Sequence, residues 1–565
     1  MPTISINRND LDKLLGRRAT DKDLDAWLQL VKGEIKDHDT ATGELRIELQ
    51  DSNRPDLWCV EGIARQIRIK LKGAPEAYAY LKTAKGRRDQ VLVEKGLERV
   101  RPFIGACKAR RYKVTEEGLA QLIQTQEKLA DIFGRKRRTV SIGLYRLLPI
   151  KFPVTYALVN PDQEKFRPLG YDEAMSLREI LDIHPKGQEY GPLLSGHDRL
   201  PLLRDAQGTV LSFPPIINSR DIGEVRAGDS DLFIEVTGTD LRMVMLAVNI
   251  FAANLHDRGA KIEPVDIVYP YKTDRGRTVR MPQPVSQPRS ITLAEVGHAL
   301  GTELSLKEIR GSLVSYGYAV SGSGGSLTVT LPPYRNDLMH PVDAIEDVAI
   351  SRGYGTFHAV MPSAFTVGGL SRIEQLSDKV RELMLGFGFQ EIVSNILGSR
   401  EDLAQRMRLN AEHPDAHCVE IENVMSQSNE CLRRWILPSL LRVETASSRS
   451  FYPHLLFEVG EAAVPDQQAE TGSRTEVRMG VLSVHANANF SETHSFLELL
   501  CLYLNRPYRL TPIVHPSFMD GRVAHIMIDD KPVGLIGELH PEVLERWQIT
   551  MPCSAFELAL DPLVI

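Results

Sequence analysis

The sequence has few cysteines and no long apolar run, and these two shortages exclude several classes of protein. Its 565 residues include six scattered cysteines, none in a CxxC pair, so neither a zinc ribbon nor a disulfide framework is plausible. No stretch reaches the roughly 18 consecutive apolar residues of a membrane-spanning helix. The opening residues, MPTISINRND, lack the basic-then-apolar order of a signal peptide. We therefore expect a cytoplasmic protein without a membrane partner.

The chain also lacks an excess of basic residues. Its formal net charge is −6, which excludes a protein that binds nucleic acid through overall positive charge. Basic residues nevertheless cluster at 107–113, 134–146 and 272–280, where they either contact a phosphate backbone or cover solvated loops. With 42% hydrophobic residues, a chain of this length is expected to form about three to five domains.

Two distant stretches of the chain follow the same pattern of residues. The first runs from ISINRNDLDKLLG to SNRPDLWCVEGIARQI, and the second runs from ITLAEVGHALG to PYRNDLMHPVDAIEDVAI. Each has apolar residues at helical spacing, then an alternating strand, then Arg-x-Asp-Leu beginning at Arg54 or Arg335. We interpret the two copies as related small α+β modules.

Acidic residues crowd into the closing segment of the second copy. They are Asp337, Asp343, Glu346 and Asp347. Pro341 suits the first turn of a helix, which would place the last three of these acids on one face. Such acids either complement the helix dipole or bind a hard divalent cation, which prefers carboxylate oxygens. In the first copy, Ala64 and Arg65 stand where Glu346 and Asp347 stand in the second. The fold alone therefore does not require this acid pair, and we favour a cation site.

The rest of the chain alternates between helical and strand patterns. Residues from about 90 to 280 predict a mixed α/β domain, in which LRMVMLAVNIFAANLHDRG is a buried helix. The proline-rich loop of LLRDAQGTVLSFPPIINSRDIGEV is either an ordinary turn or the wall of a pocket. Residues 271–290 are charged and rich in proline, which is typical of a linker. The C-terminal part predicts an antiparallel sheet with packed helices and a hairpin on DDKP.

Five motifs along the whole chain resemble those of a known family. They are NRPDLWCVEGIARQI, LSFPPIINS, IEVTGTD, PPYRNDLMHPVDAIEDVAI and HLLFEVGEA. Together they resemble the β subunit of phenylalanyl-tRNA synthetase in its archaeal and eukaryotic form. The inserted OB-fold and the C-terminal ferredoxin-like domain of the bacterial form have no counterpart in this sequence.

The resemblance implies an α+β multidomain fold. Two related winged-helix-like modules would occupy 1–85 and 286–360, with the acidic metal loop in the second. A mixed α/β editing-type domain would occupy 86–280. Residues 363–565 would form a catalytically degenerate class II synthetase-like domain, an antiparallel sheet with helices.

The resemblance further implies a β subunit of phenylalanine–tRNA ligase. Its partners would be the α subunit, in an α2β2 heterotetramer, and tRNA(Phe), while ATP and phenylalanine would bind through the α subunit. No residue of this chain would catalyse aminoacylation, because HLLFEVGEAA offers Glu458 and Glu461 where a class II active site needs arginines for ATP phosphates. The resemblance places Mg²⁺ in a structural role, with water and Arg335 sharing the site. The implied metal ligands are Asp337, Asp343, Glu346 and Asp347.

The family also hydrolyses mischarged tyrosyl-tRNA(Phe), which the resemblance assigns to the central domain. Apolar walls reject the added hydroxyl of tyrosine by only about 100-fold, so a second pocket that hydrogen-bonds the phenol discriminates better. The implied pocket residues are Leu203, Ser212, Glu235 and Thr237, with Leu203 as a ring wall. Glu235 and Thr237 lie two apart on a predicted strand and so face the same side. The alternative is that residues 237–240 are merely a turn before the next helix.

Two other functions remain open from the residues. One is a free-standing tRNA-binding or editing factor without a ligase partner, which purification as a lone chain from native extract would favour. The other is a metal-dependent phosphoesterase built on the acidic segment. We consider it the weakest, because metal-assisted hydrolysis usually pairs such acids with a base in a substrate cleft, and no base is visible nearby.

Overall fold

A computed structural model describes residues 2–82, 88–447 and 449–564. The chain divides into two compact units, Met1–Val360 and Met361–Ile565, and combines helices with several separate sheets, as expected of an α+β multidomain protein. The predicted boundary between the first two domains, at 85/86, lies outside the described residues, and the division into four domains stays a prediction. No helix among the described residues is long and apolar enough to cross a bilayer.

The first module alternates strands and helices around a three-stranded sheet. Its elements are β1 (Thr3–Asn7), α1 (Arg8–Leu15), α2 (Asp21–Leu28), β2 (Gly33–Asp39), β3 (Glu44–Leu49) and α3 (Val60–Lys72). The sheet order is β1-β3-β2. Asn7 caps α1 by accepting hydrogen bonds from the first-turn amides. Gly16, in the left-handed conformation with φ of 71°, ends the helix because glycine adopts that conformation without steric cost.

The central domain is built on a mixed ten-stranded sheet. Its strands are β4 (Gln90–Val93), β5 (Phe103–Lys113), β6 (Val140–Arg146), β7 (Val154–Val159), β10 (Leu200–Arg204), β11 (Val210–Phe213), β12 (Ile217–Asn218), β13 (Ser230–Gly238), β14 (Lys261–Thr273) and β15 (Gly276–Met281), with β8 (Lys165–Phe166) and β9 (Met175–Ser176) forming a separate pair. Its helices are α4 (Glu116–Lys128), α5 (Leu177–Ile183), α6 (Pro185–Tyr190), α7 (Arg220–Gly223) and α8 (Leu241–Asp257). The predicted buried helix is α8, which packs on β5 and β13.

The prediction that residues 271–290 form a linker is wrong over its first half. There, β14 and β15 pair as an antiparallel hairpin that turns between Thr273 and Gly276. Alternate side chains of β15, such as Val279 and Met281, are fully buried, and this burial outweighs the charge and proline content that suggested a linker.

The second module repeats the element order of the first. Its elements are β16 (Arg289–Thr292), α9 (Leu293–Leu300), α10 (Leu306–Val314), β17 (Ala319–Ser321), β18 (Ser326–Thr330) and α11 (Pro341–Arg352). Its sheet order, β16-β18-β17, also matches. The modules meet through polar contacts that are buried or partly buried. The Tyr316 hydroxyl donates to the Leu30 carbonyl at 2.6 Å, and the Lys70 ammonium donates to the Ser351 hydroxyl at 3.0 Å.

The second unit contains ten strands, which are β19 (Gln390–Glu391), β20 (Leu397–Gly398), β21 (Val419–Glu420), β22 (Cys431–Leu432), β23 (His454–Pro465), β24 (Ser473–Val484), β25 (Arg509–Pro512), β26 (Phe518–Ile528), β27 (Lys531–Leu539) and β28 (Cys553–Ala559). Seven of them form one sheet in the order β19-β23-β24-β28-β27-β26-β25, antiparallel except where β19 meets β23. The other three form a small sheet in the order β20-β22-β21. Its helices are α12 (Arg372–Gly386), α13 (Leu437–Ser447), α14 (Phe490–Leu504) and α15 (Pro541–Arg546). The predicted hairpin is confirmed: β26 and β27 pair, and Asp529 and Asp530 turn with positive φ.

Candidate functional site

A cavity of about 170 Å³ opens in the central domain. Its lining includes Arg137, Gly143, Ser212, Asn218 and Glu235, together with the proline-rich loop that follows β11. A cavity of about 150 Å³ is known to hold one benzene molecule. The cavity is therefore of a size to receive a single aromatic side chain.

The structure brings the four predicted pocket residues together but places them in two layers. Ser212 and Glu235 line the cavity, whereas Leu203 and Thr237 are fully buried and lie outside its lining. Leu203 pairs with Ser212 across β10 and β11. The hydroxyl of Thr237 accepts a hydrogen bond from Arg101 Nε at 3.0 Å. Leu203 and Thr237 therefore support the two lining residues, and the role of all four stays a prediction.

Glu235 is the carboxylate in the cavity lining, and we call this carboxylate and the buried hydroxyls of Tyr145 and Ser212 beside it the floor of the cavity. Its side chain is buried, and the Tyr145 hydroxyl donates a hydrogen bond to Oε2 at 2.8 Å. Burial raises the pKa of Glu235 to about 7, against the opposing effects of the Tyr145 hydrogen bond and the positive charge of Arg101. Near neutral pH this carboxyl is therefore present in both protonation states.

Gly143 leaves the space in which the polar floor forms. Gly143 lies on β6, directly opposite Glu235 on the neighbouring strand β13. A Cβ atom there would lie 2.1 Å from the Tyr145 hydroxyl and 2.5 Å from Glu235 Oε2, too close for any side chain. The hydroxyl of Ser212 is buried beside that of Tyr145 and forms no well-aligned hydrogen bond within the described residues. The floor can thus offer hydrogen bonds to a polar group that enters.

Several residues of this site were not predicted. Tyr145 and Gly143 alternate along VSIGLYR, so a period of two places them on one face, but only the pairing of β6 with β13 shows that this face contains Glu235. Arg101 is buried and donates to the Thr237 carbonyl at 2.8 Å. It lies outside any strand, and nothing in the sequence marks it.

The acidic segment is divided among separate partners. Arg335 forms a two-pronged ion pair with Asp337, Nε to Oδ1 at 3.0 Å and Nη2 to Oδ2 at 2.6 Å. Asp347 accepts from the same guanidinium and from the Tyr318 hydroxyl, both at 2.6 Å. Although burial opposes it, Arg335 holds the pKa of Asp337 below its usual value, whereas burial raises that of Asp347.

The other two acids face more open surroundings. Asp343 accepts hydrogen bonds from the backbone amides of Met339 and His340, each at 2.7 Å, and these bonds cap the start of α11. Glu346 is exposed and pairs with Lys32 of the first module at 2.6 Å. Among the described residues, no three of the four carboxylates converge closely enough to hold one ion. The four predicted ligands are therefore held by separate partners in this structure, and their role as a metal site stays a prediction.

The first module contains the counterpart of the Arg335–Asp337 pair. Arg54 and Asp56 bond through the same atoms, Nε to Oδ1 and Nη2 to Oδ2, each at 2.8 Å. Both residues are almost fully buried, and although burial and the positive charge of Arg335 oppose it, Asp56 raises the pKa of Arg54. The repeated Arg-x-Asp-Leu motif is thus an internal ion pair in each module, and this pairing already accounts for Asp337.

Two arginines on or beside the seven-stranded sheet are engaged with carboxylates. Glu458 on β23 pairs with Arg433 at 2.8 Å. Arg478 on β24 pairs with Glu476 at 2.7 Å and with Glu557 at 3.1 Å. These guanidiniums are therefore not free to neutralise nucleotide phosphates.

Comparison with known proteins gives a consistent result. Residues 358–560 match the family model "Phenylalanyl tRNA synthetase beta chain CLM domain", and residues 289–354 match "tRNA synthetase B5 domain". Phenylalanine–tRNA ligase β subunits from Treponema pallidum and Thermococcus kodakarensis are 37% and 38% identical, and each alignment covers 100% of this chain and at least 99% of the relative. A crystal structure of an N-terminal fragment of the phenylalanyl-tRNA synthetase β subunit from Pyrococcus horikoshii aligns with a TM-score of 0.58 and 37% identity, covering 63% of this chain and 100% of the fragment.

Proposed function

This chain belongs to the family of phenylalanine–tRNA ligase β subunits, and from that premise we propose that its central cavity hydrolyses tyrosyl-tRNA(Phe). The chain is thus part of an aminoacyl-tRNA synthetase, a ligase of protein biosynthesis. The observation that supports the hydrolytic role is the polar floor of the cavity, where Glu235 and Tyr145 meet in a space for one aromatic ring. The test is hydrolysis of preformed tyrosyl-tRNA by the assembled enzyme, with phenylalanyl-tRNA as the comparison.

The floor explains why tyrosine would be preferred there. A phenol hydroxyl at the floor can donate to the Glu235 carboxylate and take the open position beside the Ser212 hydroxyl. A phenylalanine ring would leave the Ser212 hydroxyl buried without a partner, while Glu235 would keep only its Tyr145 hydrogen bond; an unsatisfied buried group costs about 1–3 kcal/mol. Ester hydrolysis then needs a positioned water and donors for the developing oxyanion, and no covalent nucleophile is required.

We further propose the domain division and assembly that the sequence suggests. Winged-helix-like modules would span 1–85 and 286–360, flanking an editing domain at 86–280, and a class II-like domain would span 363–565. The matching element orders of the two modules support the first part. The chain would assemble with the α subunit as an α2β2 heterotetramer that charges tRNA(Phe), and ATP and phenylalanine would bind through the α subunit.

The purified chain alone is expected not to form phenylalanyl-adenylate. Arg433 and Arg478 are paired with glutamates, so neither guanidinium is free to bind ATP phosphates. ATP–pyrophosphate exchange should be absent with this chain and should appear when the α subunit is added. Rapid exchange by the pure chain would contradict the proposed division of labour.

We propose that Mg²⁺ binds the second module through Asp343 and Glu346, a smaller set than the four predicted ligands. These two carboxylates lie one helical turn apart and are partly or fully exposed, and Mg²⁺ is typically held by one or two carboxylates plus several waters. Asp337 and Asp347 would remain on Arg335. Glu346 would release its ion pair with Lys32 when it binds the ion.

Magnesium should therefore raise the melting temperature of the protein, and a chelator should reverse the rise. An ion that binds only the folded state stabilises it by about 2.7 kcal/mol at a concentration of 100 Kd. Glu346→Gln should abolish the magnesium-dependent shift, while Glu303→Gln, an exposed acid of the same module, should keep it. Identical melting curves for wild-type protein in magnesium and in chelator would rule out this site.

A further inference from the structure

A basic turn stands at the edge of the cavity. After α4, the chain makes a tight turn over residues 134–139, in which Arg135, Lys136 and Arg137 have φ of 49°, 53° and 61°. Three consecutive side-chain-bearing residues in the left-handed region are unusual, since each is sterically disfavoured there. Gly134 permits the turn, because a Cβ atom at this position would lie 2.3 Å from the Ala130 carbonyl oxygen.

The turn is fixed to the cavity by two arginines. Arg137 lines the cavity and donates to the carbonyls of Pro215 and Ile216 at 3.0 and 2.7 Å. Its guanidinium also lies over the Tyr190 ring, 4.1 Å from the ring centre. From below, Arg101 donates to the carbonyls of Arg137 and Arg138 at 3.1 and 3.3 Å while it holds Thr237. The unusual backbone is therefore held rigidly against the residues that surround Glu235.

The outward side of the turn carries unpaired positive charge. Arg135, Lys136 and Arg138 are exposed, and their side chains have no ion-pair partner in the part of the chain that the structure describes. Nearby arginines of the same domain differ, since Arg167 pairs with Asp221 and Arg220 with Asp172. In a chain with a net charge of −6, three uncompensated cations on a rigid support form a local site for anionic groups.

We propose that this basic turn binds the phosphates of the single-stranded 3′ end of aminoacylated tRNA and directs the ester into the cavity. The inference rests on the proposed hydrolytic function, because the amino acid reaches the cavity only together with the terminal nucleotides to which it is esterified. Cationic side chains that follow a backbone are the usual means of holding single-stranded nucleic acid without reading its sequence.

The test compares the assembled wild-type enzyme with the double variant Arg135→Asn/Lys136→Asn. Asparagine tolerates the left-handed region better than most residues, so the turn should keep its shape while its charge is removed. We expect kcat/KM for tyrosyl-tRNA to fall about tenfold, mainly through KM. The slope of log kcat/KM against log salt should become shallower by about 0.7 for each phosphate that the variant no longer binds. Hydrolysis of tyrosyl-adenosine, which lacks the phosphates, should be unchanged.

Arg111→Asn is the matched control. Arg111 is also exposed and also has positive φ, 59°, but it lies at the far end of β5 from Ile104, which pairs with Thr237. At 3.3 Å per residue this separation is about 23 Å. The control should retain wild-type kcat/KM and salt dependence.

Binding of a CCA-ended oligonucleotide separates this inference from the proposed function. If wild-type enzyme binds the oligonucleotide more tightly than the double variant but leaves tyrosyl-tRNA intact, the turn binds RNA and the hydrolytic function is wrong. If wild-type enzyme hydrolyses tyrosyl-tRNA and the double variant matches it in kcat/KM, salt slope and oligonucleotide affinity, the turn does not bind the 3′ end and the inference is overturned.

Discussion

Replacing Glu235 with alanine in the assembled enzyme should lower hydrolysis of tyrosyl-tRNA by about 100-fold and leave phenylalanine charging intact. The carboxylate is the acceptor on the cavity floor, and a hydrogen bond to a charged group contributes about 1.5–3 kcal/mol. Single-turnover deacylation of preformed tyrosyl-tRNA measures the effect. Thr237→Val should act in the same direction but more weakly, because Thr237 reaches the floor only through its neighbours.

The pH dependence gives an independent check on Glu235. Because burial raises its pKa to about 7, lowering the pH through 7 protonates the group and removes the acceptor for the phenol proton. Wild-type hydrolysis should therefore decline as the pH falls below about 7, whereas Glu235→Gln should show no such decline. Glu117→Ala, an exposed acid near the start of α4, should behave like wild type. Wild-type rates in Glu235→Ala would place the tyrosine pocket elsewhere.

Removing the carboxyl of Asp56 or of Asp337 should lower the free energy of unfolding of the first unit by about 3–5 kcal/mol. Each change leaves a guanidinium, Arg54 or Arg335, buried without its main counter-charge, and breaking one side of a buried pair typically costs this much. Urea unfolding of Asp56→Ala and Asp337→Ala, both in the presence of a chelator, measures the decrease.

The chelator makes this prediction distinct from the metal proposal. A residue whose only role is to bind magnesium would make no difference to stability in metal-free buffer. Asp162→Ala, which breaks the exposed pair with Arg178, should change stability little. Replacing both Arg54 and Asp56 by methionine and leucine should recover most of the stability. Equal stability of Asp337→Ala and Asp162→Ala would show that the Arg335 pair is not essential.

The sequence predicted the local features of this protein better than their long-range combination. The helix α8 was evident because its apolar residues are consecutive and local. The face shared by Glu235 and Thr237 followed from the period of a strand. Gly143, which lines the cavity, and Tyr145, which bonds Glu235, come from a strand some 90 residues earlier, and register between distant strands is not encoded in either strand alone.

The acidic segment is a second case in which local spacing was predictable but the long-range partners were not. The helix spacing of its acids was visible, as was the repeated Arg-x-Asp-Leu. The sequence did not show that Arg335 and Tyr318 would engage Asp337 and Asp347 or that Lys32 would reach Glu346 from the first module. Acids that lie close together in the sequence are therefore distributed over several partners in the structure, and the single metal site stays a prediction.

The contacts between the two modules can form only after the ribosome has synthesised the second module. Leu30, Lys32 and Lys70 find their partners at Tyr316, Glu346 and Ser351. At about 5–20 residues per second, the ribosome needs roughly 15 to 60 s to add the intervening residues. Throughout that interval these contacts are unformed, so we expect the nascent first module to bind chaperones until the second module has been made.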